Sequence, residues 1–430
     1  MRGEEMGSIF KKWKVKLKTI TPIHVGSGEE LISNIDFIYN RSDKLIYVPN
    51  IEELSKLSDI SLEEFSSPAK ILESKGLWQR KNLVKRKIKP ANGCGKLINR
   101  IREHIHDGFG RPYIPGSSIK GAIRTALLWG MIMDDQDPPK LKADYRKVLE
   151  NLGRGDSDRK IIKNAFLGKG QQIKGDDAKY DIMKAVKVSD CYIDETIETW
   201  VYSVAIWDVR GNSYSWWVFR RGPEAKEPCE GTLIFVEAIP PDTTAEFEVT
   251  LDLKLLNEYA KKHGWSDEQK EAVFKIWDKV FDYFDYKTIE EEEFFANHNY
   301  IDGSDFYNKI GNESKSLSKN QSLIRIAWGG GWRFMTGNWI PDDLINDVRK
   351  KYKLGKVKCP HCGSRKIRED RKNKDKLFCA NCEKSFDYFD LKLIYPFPKT
   401  RRFAIVDGKT MPLGWAEITW EEVNDGEKQK

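Results

Sequence analysis

The sequence contains no long apolar run. No stretch of its 430 residues approaches the roughly 18 apolar residues that a membrane-spanning helix needs. The start, "MRGEEMGSIFKKWKVKLK", has no signal-peptide hydrophobic segment. The expectation is a soluble, cytoplasmic protein with no membrane partner. A Walker A loop is also missing, because Gly329, Gly330 and Gly331 are not followed by Gly-Lys-Ser/Thr. "GSGEE" does not fit a dinucleotide fingerprint, and no internal repeat of fixed period is present. No His/Asp/Glu cluster and no metal-binding carboxylate pair can be read from the order of residues, so no nuclease activity is expected of the isolated chain.

What is present is a globular composition, 40% hydrophobic and 12% aromatic, with a net charge of only +7. The charge is segregated. Residues 76–102 carry nine Lys/Arg and no acid, and residues 355–378 carry nine against three acids. Residues 267–294 carry ten acids against four bases. Basic blocks interleaved with aromatics and glycines point to a polyanion, and two such blocks point to nucleic acid.

Strict alternation in "KKWKVKLKTI" predicts a strand with Trp13, Val15 and Leu17 on its buried face. A glycine turn follows at Gly26–Gly28, then a hairpin over 34–50. The basic stretch 76–111 reads as a mobile loop with a little helix. "YIPGSSIKGAIRTALLWG" predicts a helix N-capped by Ser117 or Ser118, with Ile119, Ile123, Ala126 and Leu127 on one stripe. Residues 131–180 read as helical pieces and loop. "AVKVSDCYI" reads as one strand, and a Trp-rich hairpin turns at Gly211–Asn212. "TLIFVEAI" and "EFEVTLDLKL" are further strands, the latter with Phe247, Val249, Leu251 and Leu253 inward. Residues 266–284 predict a helix with a Ser266/Gln269 capping box and a stripe of Val273, Trp277, Val280 and Phe284. "SLIRIAW" is a strand entering a glycine loop, and "PLGWAEITW" closes the chain. This order fits an α+β, ferredoxin-like or RRM-like sheet with long insertions better than a doubly wound one.

Four of the seven cysteines form two knuckles, Cys359-x2-Cys362 and Cys379-x2-Cys382. That spacing suits a tetrahedral, structural zinc ribbon, with His361 not needed as a ligand. Cys94, Cys191 and Cys229 are scattered and expected to act as small apolar residues.

Lys120 and Arg124 are like charges four residues apart beside an electropositive helix start, an arrangement that calls for an anion. A phosphate would accept from Ser117, Ser118 and the free helix N–H groups while Lys120 and Arg124 neutralise it. Gly329, Gly330 and Gly331, followed by Trp332 and Arg333, would let backbone approach a phosphate or base. Together with His24, Gly26, Ser27 and Gly28 after the first strand, these loops have the features of a protein that grips an RNA backbone.

"TPIHVGSGEE", "YIPGSSIKGAIRTAL", "IAWGGGWRFMTG" and "FPKTRRFAIVDGKTMPLGWAEI" resemble the RAMP superfamily of CRISPR-associated proteins. More narrowly they resemble the family of fifth Csm subunits of type III-A effector complexes. The zinc ribbon is not part of that pattern. The resemblance implies an RRM-like core over 1–255 carrying the basic loop and Trp-rich hairpin. Residues 256–430 would hold a helical region, the glycine loop, the ribbon insertion (355–385) and the closing strand. It implies a non-catalytic subunit that binds the 3′ portion of CRISPR RNA, with Arg401 and Arg402 among its contacts. Such a subunit caps the filament beside other Csm subunits, with host trimming nucleases as further expected partners. Two enzymatic alternatives compete. His24 could be the general acid/base of a precursor-processing endoribonuclease, although a strand-end role is preferred. Asp36 could serve a target-cleaving backbone subunit, although a turn carboxylate is the preferred reading.

Overall fold

The structure, a computed structural model, describes residues 9–133, 165–168, 177–210, 213–219, 224–335, 358–371, 373, 376–387 and 398–423. The Gly211–Asn212 turn and most of 131–180 lie outside them.

Phe10–Thr19 forms the expected strand, and Trp13, Val15 and Leu17 are buried while Lys14, Lys16 and Lys18 alternate outward. It is central in a seven-stranded sheet. Trp415–Val423 pairs antiparallel on one side and Thr244–Asp252 on the other. Val186–Val188 and Cys191–Tyr192 follow beyond Thr244–Asp252, both antiparallel to it. "AVKVSDCYI" is therefore two short strands: Ser189 donates its N–H to the carbonyl of Glu248 but accepts the Glu248 N–H on its hydroxyl, which interrupts the ladder, and Asp190 reaches away to accept from Gly116 N–H. Phe247, Val249 and Leu251 point inward as expected, whereas Leu253 begins a short helix, Leu253–Asn257.

Helices cover the apolar face. Gly116–Met133 packs on Ile276–Ala296, which also packs on Ile301–Lys315 and on the strand Gln321–Arg325. Ile119, Ile123, Ala126 and Leu127 are all buried, each large side chain contributing roughly 1.5–3 kcal/mol of burial. Ser266 and Gln269 form the expected capping box, but the helix breaks at Lys275 and resumes to Ala296. Trp277 reaches the sheet, stacking on Trp420 (4.6 Å) and edging Trp13 (5.7 Å).

A second, ten-stranded sheet has the order Gly26–Ile32, Arg100–His104, Ile234–Ala238, Trp200–Arg210, Val84–Pro90, Leu45–Pro49, Ile38–Asn40. Thr400–Val406 and Ser213–Trp216 also pair with Trp200–Arg210. The basic stretch is thus not a loop. It supplies Val84–Pro90 and Arg100–His104, because long cationic side chains alternating with Ile88 and Ile101 can line a half-buried strand as well as apolar ones can. Cys94 and Cys229 are joined by a disulfide, which corrects the expectation that both are plain apolar residues. Cys191 is free and buried, as expected. Ile367–Glu369, Lys376–Cys379 and Ser385–Asp387 make a small third sheet around the cysteine knuckles. Among the described residues, no helix is long and apolar enough to cross a membrane.

Candidate nucleic-acid interface

The chain leaves the first strand through Pro22 and Ile23 and buries His24. Its Nδ1 lies 2.6 Å from the carbonyl of Glu237, which fixes the tautomer and leaves Nε2 as the acceptor toward Gly26. Burial, opposed by Glu237, lowers its pKa. The N–H of Trp328 donates to the carbonyl of His24 (3.1 Å), and the two rings meet edge to face at 5.6 Å. Two glycine loops some 300 residues apart in sequence are therefore one site. The late loop turns sharply: Gly329 has φ +110°, and a side chain there would press on Leu413 at 3.0 Å.

Two guanidinium groups lie over Trp328, Arg402 at 4.8 Å and Arg102 at 5.5 Å from the ring centroid. Arg402 Nε is buried with no hydrogen-bond partner among the described residues. Burial, then the neighbouring Arg102, lowers the Arg402 pKa, yet an arginine remains charged at neutral pH. Among the described residues the carboxylate contact of Arg102 is a loose one with Glu30, at 3.7 Å. Two like charges on one indole are costly unless an anion joins them. Neither Trp328 nor Arg102 stood out in the sequence. Trp328 belongs to the glycine motif, and Arg102 is hidden in the basic run.

The other expected contacts divide. Ser27 is exposed, donating to Glu103 (2.9 Å) and accepting from the N–H of Glu29. Ser117 and Ser118 lie in the first turn of a helix that begins at Gly116, not at the cap position. Two of the helix-start donors are already used, Gly116 N–H by Asp190 (2.7 Å) and Ser118 N–H by the carbonyl of Pro115 (2.8 Å). Arg124 pairs with Asp181 at 2.7 Å and lies over Phe166, so the like-charge puzzle is answered by an internal carboxylate. Lys120 is half-buried, and burial lowers its pKa. Arg333 is buried against Glu290 (2.7 Å), and Arg401 makes two bonds of 2.7 Å to Glu291. These two arginines tie the glycine loop and the late strand to the acidic helix. Trp332 is half-buried on a short turn with Phe334.

Asp36 accepts from the N–H of Ile32 at 2.8 Å, closing a turn. The expectation that no histidine or acid gathers near His24 is corrected. His104 lies 6.2 Å and His106 a further 5.9 Å away, with Glu103 and Glu237 beside them. The signal was "HIH" on a strand, which puts both rings on one face. His104 is fully buried, and burial holds its pKa well below the usual imidazole value. Its nitrogens are used by Val25 N–H (3.2 Å) and the carbonyl of Tyr113 (3.1 Å). Glu103, His106 and Glu237 are near enough to share a cation, but Arg86 already bonds both carboxylates, at 2.7 and 3.2 Å. Arg86 offsets one of the two carboxylate charges, and the Thr199 hydroxyl and the His104 N–H also donate to Glu237, so its oxygens are already engaged by protein.

The sulfurs of Cys359, Cys362, Cys379 and Cys382 lie within 4.8 Å of one another, and the cluster could hold a metal ion. Each knuckle is closed by backbone, Gly363 N–H to Cys359 and Glu383 N–H to Cys379, both at 2.9 Å. Four thiols at this separation, without a fifth donor in the set, fit tetrahedral coordination.

Compared with known proteins, the profile of the RAMP superfamily matches residues 16–298. The chain is 27% identical to the "CRISPR system Cms protein Csm5" of Methanocaldococcus jannaschii over 431 aligned positions, which cover 95% of this chain and 89% of that one. It is 26% identical to the Streptococcus thermophilus protein of the same name, covering 57% of this chain and 65% of that one. Among solved structures, a chain of a cryo-EM Csm–crRNA–target RNA ternary complex of a type III-A CRISPR-Cas system is similar with a TM-score of 0.57. That match has 22% identity and covers 95% of this chain and all of the other. The crystal structure of T.onnurineus Csm5 gives a TM-score of 0.55 at 21% identity, covering 94% and 99%.

Proposed function

Because this chain belongs to the RAMP superfamily and is similar to Csm5 proteins, we propose that it is a crRNA-binding subunit capping a type III-A Csm effector complex. It would contribute to assembly and to maturation and protection of the crRNA 3′ end. The observation that carries the RNA-binding part is Trp328 beneath Arg102 and Arg402, where the two glycine loops meet at His24. The indole holds the paired guanidiniums in place, and these give a phosphate its counter-charge and a base a planar cation to stack on. Gly26, Ser27, Gly28, Gly329, Gly330 and Gly331 let the backbone approach. Ser117, Ser118 and Lys120 extend the contacts at the helix start. Of the arginines first expected, Arg402 is retained, while Arg124, Arg333 and Arg401 serve internal ion pairs.

The strand order supports an RRM-like core. Counting Phe10–Thr19, the 186–192 strands, Thr244–Asp252 and Trp415–Val423 as one to four, the sheet runs four-one-three-two, with helices after one and three. We take 1–255 as that core with its insertions and 256–430 as the helical, glycine-loop and ribbon part, the closing strand returning to the core. Cys359, Cys362, Cys379 and Cys382 would hold a structural zinc, which stiffens the ribbon and supplies no chemistry to RNA. The expected partners are crRNA, neighbouring Csm subunits and trimming nucleases, in the cytoplasm. The processing alternative finds one supporting feature, the His24 Nε2 that faces Gly26. Reconstituting the complex with and without this subunit, and mapping crRNA 3′ ends, tests the reading. Loss of 3′-end protection without it is expected. Unchanged ends, or precursor cleavage by the isolated chain that disappears in His24→Ala, would overturn it.

A further inference from the structure

Apart from Arg102, the basic stretch 76–102 takes no part in the Trp328 site. Within Val84–Pro90 the residues alternate, with Arg86 and Ile88 turned inward and Lys85, Lys87 and Lys89 exposed. Arg86 is absorbed by Glu103 and Glu237. None of the three lysines is ion-paired among the described residues. Each of two covers an aromatic ring instead. Lys89 Nζ lies 4.3 Å from the centroid of Trp200, and Lys87 Nζ lies 5.3 Å from that of Tyr47. Tyr47 in turn meets Trp78 at 5.0 Å, and a cleft of about 680 Å³ opens there between Tyr47, Trp78, Lys81 and Lys87.

The register places this row on the same sheet face as the Trp328 site, since paired residues share a face and residues two apart repeat it. Lys89 pairs with Trp200, and Trp200 is two residues from Tyr202, which pairs with Val236. Val236 pairs with Arg102. Further along Trp200–Arg210, Val204 pairs with Ala404 and Ile206 with Arg402. Trp200 and Trp328 pack against one apolar cluster around Tyr202 and Val236. Val84–Pro90 and Thr400–Val406 both flank Trp200–Arg210, and they meet where Asp407 N–H donates to the carbonyl of Asn92 (2.8 Å). Lys85, Lys87, Lys89, Val406, Ala404 and Arg402 therefore follow one line, in which Val406 is half-buried and Ala404 fully buried, so the cationic groups lie at its two ends. At about 3.3 Å per residue its two strand segments account for roughly 30 Å.

We propose that this line is a track for single-stranded RNA, entered or left at the Arg402–Trp328 site and continuing over the three lysines to the Tyr47–Trp78 cleft. The proposal rests on the RNA-binding reading above and deepens it by giving that site a direction and a length. Unpaired cations at every second position of Val84–Pro90 suit a phosphate backbone, and the half-buried Trp200 and Trp78 suit stacked bases, the buried Tyr47 supporting Trp78 from below. That combination holds single strands without reading sequence.

The test uses the full chain and uridine oligomers of 6 and 20 nucleotides, with affinity measured across a salt series. Lys85→Ala/Lys87→Ala/Lys89→Ala is compared with Arg102→Ala/Arg402→Ala. The lysines are exposed, so the triple variant should melt like the parent, and its Lys→Arg counterpart should bind like the parent. For the 20-mer the triple variant should lower the slope of log K against log salt by about 2, at about 0.7 per lost single-strand contact, and leave the 6-mer nearly unchanged. The arginine pair should weaken both oligomers. If the arginine pair weakens binding while the lysine variant keeps the parental slope on the 20-mer, the track is wrong and the site stands. If the lysine variant instead loses only its association with other Csm subunits, the face is a protein interface and the track is again wrong. If the arginine pair changes nothing, the RNA-binding reading itself fails.

Discussion

Arg401 and Arg402 are neighbours in sequence and opposites in the fold. Both lie on Thr400–Val406, whose alternation sends one side chain to each face. Arg401 enters the core, lies over Phe294 at 4.4 Å and meets Glu291 with two hydrogen bonds. Arg402 turns to the opposite face, over Trp328, beside another arginine. The difference separates two uses of the same cation. A buried guanidinium with a matched carboxylate fixes one element on another, whereas a guanidinium with a like-charged neighbour is prepared for an anion from outside.

The sharpest way to break that comparison is Arg401→Ala. It would leave Glu291, which is fully buried, without its main partner. Burial raises the Glu291 pKa, but Arg401, together with Arg325 and Lys287, more than offsets this and the net direction is downward. Removing one member of such a pair costs about 3–5 kcal/mol, so the variant should melt far earlier or fail to fold. A denaturation midpoint within error of the parent would show that Arg401 is not structural.

A smaller effect is expected at Lys287, in the same acidic helix. It is fully buried over Phe334 and Tyr283 and paired with Glu290, and burial pushes its pKa down to about 8 from the ordinary 10.5. Between these values the unfolded chain binds more protons, so this group makes stability rise with pH over that window. Lys287→Met leaves Glu290 paired with Arg333 and should hold stability within about 1 kcal/mol at pH 7. The rise between about 8 and about 10.5 should flatten. A midpoint–pH curve identical to the parent's would contradict the assignment.

The strand over 10–19, the helix from Gly116, the capping box at Ser266 and the cysteine quartet were legible in the sequence because each rests on spacing within a few residues. The partners of the arginines were not. Glu290 and Glu291 lie in an acidic run that reads as a solvated face, and only the packing of Ile276–Ala296 brings them under Arg333 and Arg401. Asp181 is similarly 57 residues from Arg124. The basic run misled for a related reason. Its alternation of Lys with Arg carries no hydropathy contrast, although one face pairs with Glu103 and Glu237 and the other is exposed. The disulfide between Cys94 and Cys229 spans 135 residues and had no local signal at all.

Arg402 and Arg102, rather than Arg401 and Arg333, are the arginines proposed to meet RNA. The salt dependence of single-stranded RNA binding in Arg102→Ala/Arg402→Ala decides this. The double variant should keep its melting midpoint, with the slope of log K against log salt lowered by about 0.7 for each lost contact. A double variant that keeps the parental slope would contradict it.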